Sequence, residues 1–229
     1  MQRVHLKIQS KTSDVDRYPD DDMLNDILGT VDYGSDNEYT ADNYFWRPFQ
    51  IAFLLMSING VSDDASDDRG LVDLIWFPTG GGKTEAFLGI MIFNLFFDRI
   101  RGKECGVTAM LKYPLRLLSV QQVQRVSNIL ASAELIRRSC IAEGEEFSLG
   151  YFVGDHNTPN SIKKEKKQAL SEMSMDELDE KYKLVDVCPY CGQRSVHIVY
   201  DADKNSLVHI CNNETCSSGG ILPLYMVDD

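Results

Sequence analysis

The chain contains 229 residues, about one and a half times the length of a typical domain, which predicts one domain plus a smaller module. Its 43% hydrophobic and 25% charged residues exclude a generally disordered chain and a fibrous repeat. The formal net charge of −12 excludes a globally basic nucleic-acid binder but leaves a local basic surface open.

Six cysteines are too few for a disulfide scaffold, which indicates a reducing compartment, and we expect a cytoplasmic protein. No apolar run reaches the length of a membrane span. The N-terminal sequence MQRVHLKIQSK lacks the apolar core of a secretory signal. We therefore expect no membrane partner.

The chain begins with an acidic segment, which we predict to be an N-terminal extension over 1–44. Between positions 13 and 42 it has ten Asp or Glu residues and one basic residue, Arg17. Few apolar residues are interspersed, so this segment is expected to lie on the surface or to stay mobile.

Apolar and amphipathic segments then alternate along the chain. The predicted strands are 71–77, 107–111 and 147–153, and the predicted helices are 46–60, 85–99 and 117–136. Pro48 suits the first turn of the first helix. The order of strands and helices predicts an α/β domain over 45–154, with a mostly parallel sheet and helices on both faces.

The loop FPTGGGKT at 77–84 is the strongest indication of a ligand site, because it resembles a phosphate loop. The phosphate-loop pattern GxxxxGK[ST] begins with glycine, and Phe77 stands at that position here. Glycines let backbone N–H groups turn toward a polyphosphate, and the N-terminus of the next helix favours the same anion. Lys83 places a positive charge near the β and γ phosphates, and Thr84 offers a hydroxyl to Mg²⁺. The predicted ATP- and Mg²⁺-binding residues are Thr79, Gly80, Gly81, Gly82, Lys83 and Thr84. The alternative is a glycine turn with an incidental lysine.

This loop resembles the first motif of superfamily 2 helicases, (A/P)-x-TG-x-GKT. Upstream, RPFQ at 47–50 resembles the glutamine motif of these helicases, which implies that Gln50 reads adenine. A side-chain amide can both donate to and accept from the adenine edge. The alternative is that Gln50 is a surface position of an apolar helix.

Downstream, PLRLLSVQ at 114–121 resembles the PTRELAxQ motif, which in that family holds the backbone of a nucleic-acid strand. The resemblance implies nucleic-acid binding by Arg116, Ser119 and Gln121. A junction between a strand and a helix also exposes backbone N–H groups to phosphate. An ordinary amphipathic helix start is the alternative.

The three motifs together with the late cysteines resemble the DISARM antiphage helicases of the DrmA type over roughly 45–229. The resemblance implies a RecA-like P-loop NTPase fold and an ATP-dependent helicase or translocase. It also implies three kinds of partner: nucleic acid, with DNA favoured over RNA; the remaining helicase domains of the same chain; and other defence-system subunits.

A polar, partly helical insert is predicted over 155–186, in which a capping-box pattern from Ser174 to Glu177 predicts the start of a helix. Two cysteine pairs follow this insert. CPYC at 188–191 and CNNETC at 211–216 are separated by nineteen residues that include two strand-like segments, 196–200 and 206–210. This spacing predicts a zinc ribbon over 187–220, with Cys188, Cys191, Cys211 and Cys216 as ligands. The alternatives are His209 in place of Cys216 and a redox role for the first pair. The sequence leaves open whether the ribbon binds nucleic acid or only stabilises the fold.

ATP hydrolysis in this superfamily needs a DExH/D box after a further strand, and none is present there. The segment LYMVDD ends in Asp228 and Asp229, but it resembles a non-catalytic segment that precedes the box, so 221–229 is predicted to be a return strand or loop. We therefore predict no catalytic residue in this chain, and an N-terminal fragment with negligible ATP turnover from an enzyme that is active at full length. The alternatives are a non-catalytic nucleotide- and zinc-binding nucleic-acid scaffold and another P-loop NTPase without nucleic acid.

Overall fold

The structure is a computed structural model, and it describes residues 46–78, 80–113, 116–141, 143–152, 164–216, 218 and 220–226. Of residues 116–119 and 164–166 only the backbone is described. The predicted acidic extension, Thr79, Asp228 and Asp229 lie outside the described residues. The chain divides into two compact units. The glycine-loop unit contains the described residues of 34–111 and 140–145, and the cysteine unit contains those of 112–139 and 146–229.

The glycine-loop unit is built on two helices, α1 (Pro48–Ser62) and α2 (Lys83–Ile100), with a short 3-10 helix (Asp67–Gly70) after α1. Both predicted helices are confirmed. Gly89 of α2 permits close packing on α1, because a Cβ there would lie 2.8 Å from the Trp46 ring and 3.1 Å from Leu54 Cδ2. The two helices therefore form one packed pair.

The predicted strands over 71–77 and 107–111 are wrong for this structure. Both segments have irregular backbone, and most of their apolar side chains are exposed, as with Val72 at 96% and Trp76 at 92%. An extended segment forms a strand only when a neighbouring strand satisfies its backbone groups. Among the described residues of this unit there is no strand to pair with them.

The cysteine unit combines helices with one four-stranded sheet. Its helices are α3 (Arg116–Cys140), whose last residue falls in the other unit, α4 (Lys164–Glu172) and α5 (Met175–Tyr182), and its strands are β1 (Leu149–Tyr151), β2 (Val196–Asp201), β3 (Ser206–Cys211) and β4 (Ile221–Met226). The strand order is β1-β4-β3-β2. Strands β1 and β4 are parallel, whereas β4 with β3 and β3 with β2 are antiparallel.

Several local predictions are confirmed in this unit. Strands β2 and β3 form the predicted hairpin, and α3 includes the predicted helix over 117–136. The predicted strand over 147–153 is present only as the shorter β1. Helix α5 begins with the capping box expected from the sequence, in which Ser174 Oγ accepts from Glu177 N–H at 3.3 Å and Glu177 Oε2 accepts from Ser174 N–H at 2.8 Å.

The described residues form a mixed α/β structure with a mostly antiparallel sheet. The α/β class and the small β element that carries the cysteines are confirmed. A RecA-like parallel sheet is not confirmed, because the single parallel pair in the described sheet is β1 with β4. The predicted domain boundaries stay predictions. Within the described residues, no helix combines the length and the apolar character needed to cross a lipid bilayer.

A buried ion pair fixes α3 to the segment that leads into β1. Glu134 has 0% exposure, and its carboxylate accepts from Arg137 Nη2 at 2.7 Å and from Arg137 Nε at 2.8 Å. It also accepts from Arg138 Nε at 3.1 Å and from the backbone N–H of Phe147 at 3.0 Å. The carboxylate is therefore fully hydrogen-bonded, as a buried charge requires.

Candidate phosphate loop and four-cysteine centre

The glycine loop turns sharply into α2. Gly80 and Gly82 have φ angles of 81° and 90°, in the left-handed region that glycine adopts without strain. Gly82 caps the helix, and Lys83 is the first helical residue. The first amide N–H groups of a helix have no carbonyl partner within the helix. This end of α2 therefore has the backbone arrangement and the partial positive charge of an anion site.

Two residues at the start of α1 hold the loop backbone. Gln50 Nε2 donates to the carbonyl oxygen of Gly82 at 2.7 Å, and Arg47 Nη1 donates to that of Gly81 at 2.9 Å. Gln50 Oε1 accepts from the backbone N–H of Arg47 at 2.7 Å. A Cβ at Gly82 would lie 2.7 Å from Gln50 Nε2, so the contact requires glycine. The start of α1 therefore sets the shape of the loop.

Gln50 is only 4% exposed, and both atoms of its amide are already bonded within the protein. An adenine contact at Gln50 stays a prediction, and it would use the second N–H of Nε2 or the remaining lone pair of Oε1. Arg47 was not predicted as a loop-contact residue. Its position one turn before Gln50, at the cap of α1, is the sequence signal for this role.

The Lys83 ammonium lies over the loop, where Nζ donates to the carbonyl oxygens of Phe77 at 2.6 Å and Pro78 at 3.1 Å. Both acceptors are neutral, and a phosphate oxygen would form the stronger, charge-assisted bond. Thr84 follows in the first turn of α2 and is partly buried. The Phe77 ring stacks on Phe49, with centroids 4.0 Å apart, which fixes the start of the loop to α1.

The predicted nucleic-acid residues lie at the start of α3, in the cysteine unit. Arg116 and Ser119 lie on the first turn, where only the backbone is described, and Gln121 follows on the next turn with an exposed side chain. The structure places the three on the first two turns of one helix. Binding of nucleic acid by these residues stays a prediction.

The structure brings the four predicted cysteines together. Their sulfur atoms all lie within 4.8 Å of one another. The Sγ atoms of Cys188 and Cys216 are 3.7 Å apart, and those of Cys191 and Cys211 are 3.5 Å apart. A disulfide needs ~2.05 Å, so these are four free thiols.

A tetrahedral zinc ion with Zn–S bonds of ~2.3 Å needs sulfur atoms ~3.8 Å apart. The observed separations fit this requirement, and four sulfur ligands suit a structural zinc site. Without a cation, hydrogen bonding to the neighbouring thiol of Cys211 raises the pKa of Cys188 to about 12. A divalent metal ion would instead stabilise the thiolates.

Polar groups surround the sulfur atoms. Ser195 Oγ lies 3.1 Å from Cys211 Sγ, Ser218 Oγ lies 3.1 Å from Cys216 Sγ, and Asn213 Nδ2 donates to Cys191 Sγ at 3.6 Å. Hydroxyl and amide groups in these positions can donate to thiolate ligands when a metal is bound. Sequence reasoning missed these three residues, although each lies within four positions of a cysteine.

His209 is not free to replace a cysteine. It is 0% exposed, and its Nε2 accepts from the backbone N–H of Leu184 at 3.1 Å. Its Nδ1 lies 3.2 Å from the carbonyl oxygen of Leu224, to which it donates as the neutral ring. Burial lowers the pKa of His209 to about 4, which agrees with a neutral structural histidine.

Comparison with known proteins gives one relationship that covers almost the whole chain. The chain is 37% identical to "DISARM protein DrmA" from Bacillus paralicheniformis over an alignment of 236 positions, which covers 90% of the chain. It spans 21% of the length of that protein. No protein-family model and no solved structure matches the chain. Over nearly all of its residues, the chain is therefore related to the DrmA proteins of DISARM systems.

Proposed function

We propose that this chain is the nucleotide- and nucleic-acid-binding part of an ATP-dependent helicase or translocase that acts in antiphage defence. The observation that carries the proposal is the glycine loop that ends at Lys83, the first residue of α2. The relationship to DISARM protein DrmA supports the defence role. ATP, with Mg²⁺, is the proposed ligand of the loop.

Each part of the loop has a chemical task in this proposal. The amide N–H groups after Gly80 and Gly82 would hold the polyphosphate, and the Lys83 ammonium would leave the loop carbonyls for the β and γ phosphates. Thr84 would bind the Mg²⁺ ion through its hydroxyl. Gln50 and Arg47 keep the loop carbonyls pointed away from the anion, because they donate to Gly82 and Gly81.

The start of α3 is the proposed contact with nucleic acid, through Arg116, Ser119 and Gln121. These residue types bind phosphate oxygens without reading the base sequence, which suits a translocating motor. We place ATP hydrolysis in residues outside this chain, since no DExH/D box follows a strand among the described residues. The DELD sequence at 176–179 lies in helix α5. Zn²⁺ at the four cysteines would stabilise the fold and take no part in the chemistry.

Mg²⁺·ATP binding to the full-length protein tests the proposal, with Lys83→Ala as the variant. Loss of one charge-assisted contact is expected to weaken the affinity about tenfold or more. Lys167→Ala removes an exposed lysine of α4 and serves as the matched control, with unchanged affinity expected. The measurement is a titration with a fluorescent ATP analogue.

Equal affinity of wild type and Lys83→Ala would contradict the proposal. If the wild type binds ATP and DNA but DNA never stimulates ATP hydrolysis in the full-length protein, the result would favour a non-catalytic scaffold instead.

A further inference from the structure

The four-cysteine centre lies in the core of its unit. The cysteines have between 0% and 8% exposure, and they share one buried apolar cluster with Val123, Ala131 and Leu135 of α3. Tyr190, which lies between the first two cysteines in sequence, is in the same cluster with 1% exposure. A centre this buried offers its neighbouring helix a rigid surface, and it offers a nucleic acid no access to the cysteines.

One side chain of α3 bonds directly to the backbone beside the centre. Gln124 Nε2 donates to the carbonyl oxygen of Val187 at 2.9 Å, and Gln124 Oε1 accepts from the N–H of Val187 at 3.3 Å. Gln124 Nε2 also donates to Asn128 Oδ1 at 2.9 Å, which holds the amide in this orientation. The helix and the backbone at Val187 are thus joined by a matched pair of hydrogen bonds.

Val187 immediately precedes the ligand Cys188, where the chain makes a tight turn. Cys188 N–H donates to the carbonyl oxygen of Gln193 at 2.9 Å, and Gly192 N–H donates to that of Cys188 at 2.8 Å. A metal ion bound by Cys188 and Cys191 would lock this turn. The position of Val187, and with it the partner of Gln124, therefore depends on the metal centre.

The other end of this link is the start of α3. Gln121 lies one helical turn before Gln124, and Arg116 and Ser119 lie on the first turn of the helix. Apolar packing is non-directional, whereas a pair of hydrogen bonds fixes both the rotation and the position of a helix. Among the described residues, Gln124 therefore orients this end of α3 relative to the cysteines through its side-chain amide.

We propose that Gln124 is a positioning residue for nucleic acid: it orients the first turns of α3 against the metal centre, so that metal binding sets the affinity for a nucleic-acid backbone. The proposal rests on the proposed function of Arg116, Ser119 and Gln121. The cysteine centre then supports nucleic-acid binding through the orientation of α3, and it does not contact the nucleic acid itself.

The test compares Gln124→Ala with Val126→Ala in the full-length protein. Val126 is a buried residue of the same helix with 2% exposure, so its truncation loosens packing and leaves the Gln124 link in place. Three quantities are measured: the dissociation constant for a labelled single-stranded DNA, the zinc content with the visible spectrum of the Co²⁺ form, and hydrogen exchange of the first α3 amides.

Gln124→Ala is expected to raise the dissociation constant about fivefold or more. Its zinc content and Co²⁺ spectrum should match those of the wild type, and its first α3 amides should exchange faster. Val126→Ala is expected to lower stability without changing the dissociation constant. An unchanged dissociation constant in Gln124→Ala with metal bound would overturn the proposal, and so would loss of the metal from that variant.

Hydrogen exchange tests the positioning role of Gln124 independently of nucleic-acid binding by α3. If the wild type does not bind the DNA, the nucleic-acid role of α3 fails. Faster exchange in Gln124→Ala with the metal retained would still support the positioning role, and unchanged exchange would overturn it.

Discussion

Cys191→Ser is expected to abolish metal binding and to lower the free energy of unfolding of the cysteine unit by more than ~4 kcal/mol. Cys191 has 0% exposure, and its sulfur lies 3.5 Å from that of Cys211. Structural zinc supplies folding free energy directly, because the unfolded chain has no preformed site. The measurements are zinc per chain and the hydrogen-exchange protection of the β3 amides, which reports on this unit alone.

Cys105→Ser is the matched control for this prediction. Cys105 is exposed and lies outside the four-cysteine cluster. We expect this variant to keep one zinc ion per chain and full protection of β3. A Cys191→Ser protein with wild-type zinc content and wild-type protection would show that the four sulfurs are not a metal site.

Glu134→Ala is expected to destabilise the cysteine unit by about 3–5 kcal/mol, because it removes the carboxylate that neutralises the buried Arg137 guanidinium. Arg137 is only 6% exposed, and it also loses two hydrogen bonds to the carboxylate. The backbone N–H of Phe147 loses its acceptor as well. Denaturant unfolding and the protection of β1 and β4 amides measure the loss.

The pH dependence of this effect has a defined sign. Burial alone would raise the pKa of Glu134, but hydrogen bonds from Arg137 and from the N–H of Phe147 outweigh it and hold the pKa below its ordinary value of 4.5. The stability that Glu134 contributes is therefore present above about pH 4.5 and is lost as the pH falls through the lower folded-state pKa. The difference between wild type and Glu134→Ala should shrink over that range.

Glu180→Ala is the control, since Glu180 is an exposed residue of α5. It should change the free energy of unfolding by less than about 0.5 kcal/mol. A loss below about 1 kcal/mol in Glu134→Ala would contradict a stabilising role for the buried pair.

Features that depend on neighbouring residues could be predicted from the sequence. The capping box at Ser174 and the strand-like segments over 196–200 and 206–210 are local patterns, and the structure contains the cap and both strands. Two close cysteine pairs joined by a hairpin left few other ways to bury four sulfurs, and the predicted cluster is present too.

Features that depend on distant residues could not be predicted in this way. The parallel pairing of Leu149 with Leu224 joins segments far apart in the chain, and no local pattern records it. Glu134 has the polarity of a surface position, but its burial depends on Arg137 and Phe147. The segment 71–77 has the composition of a buried strand, yet the described residues of its unit supply no strand beside it.

Gln50 shows that a sequence motif can select a residue of the candidate site without predicting its contact. The resemblance selected a residue that contacts the glycine loop, although adenine binding by Gln50 stays a prediction. Its partner in the structure is the carbonyl oxygen of Gly82, whereas the motif alone implied adenine. Residue type and spacing predicted a candidate site, and only the backbone geometry identified this contact.

Hydrogen exchange of the full-length protein with and without Mg²⁺·ATP tests most directly whether the turn before α2 is a phosphate site. We predict slower exchange of the amides over 80–86 when the nucleotide is present, because these N–H groups would donate to phosphate oxygens. Unchanged exchange over 80–86, while ATP binds and protects another part of the protein, would contradict the account.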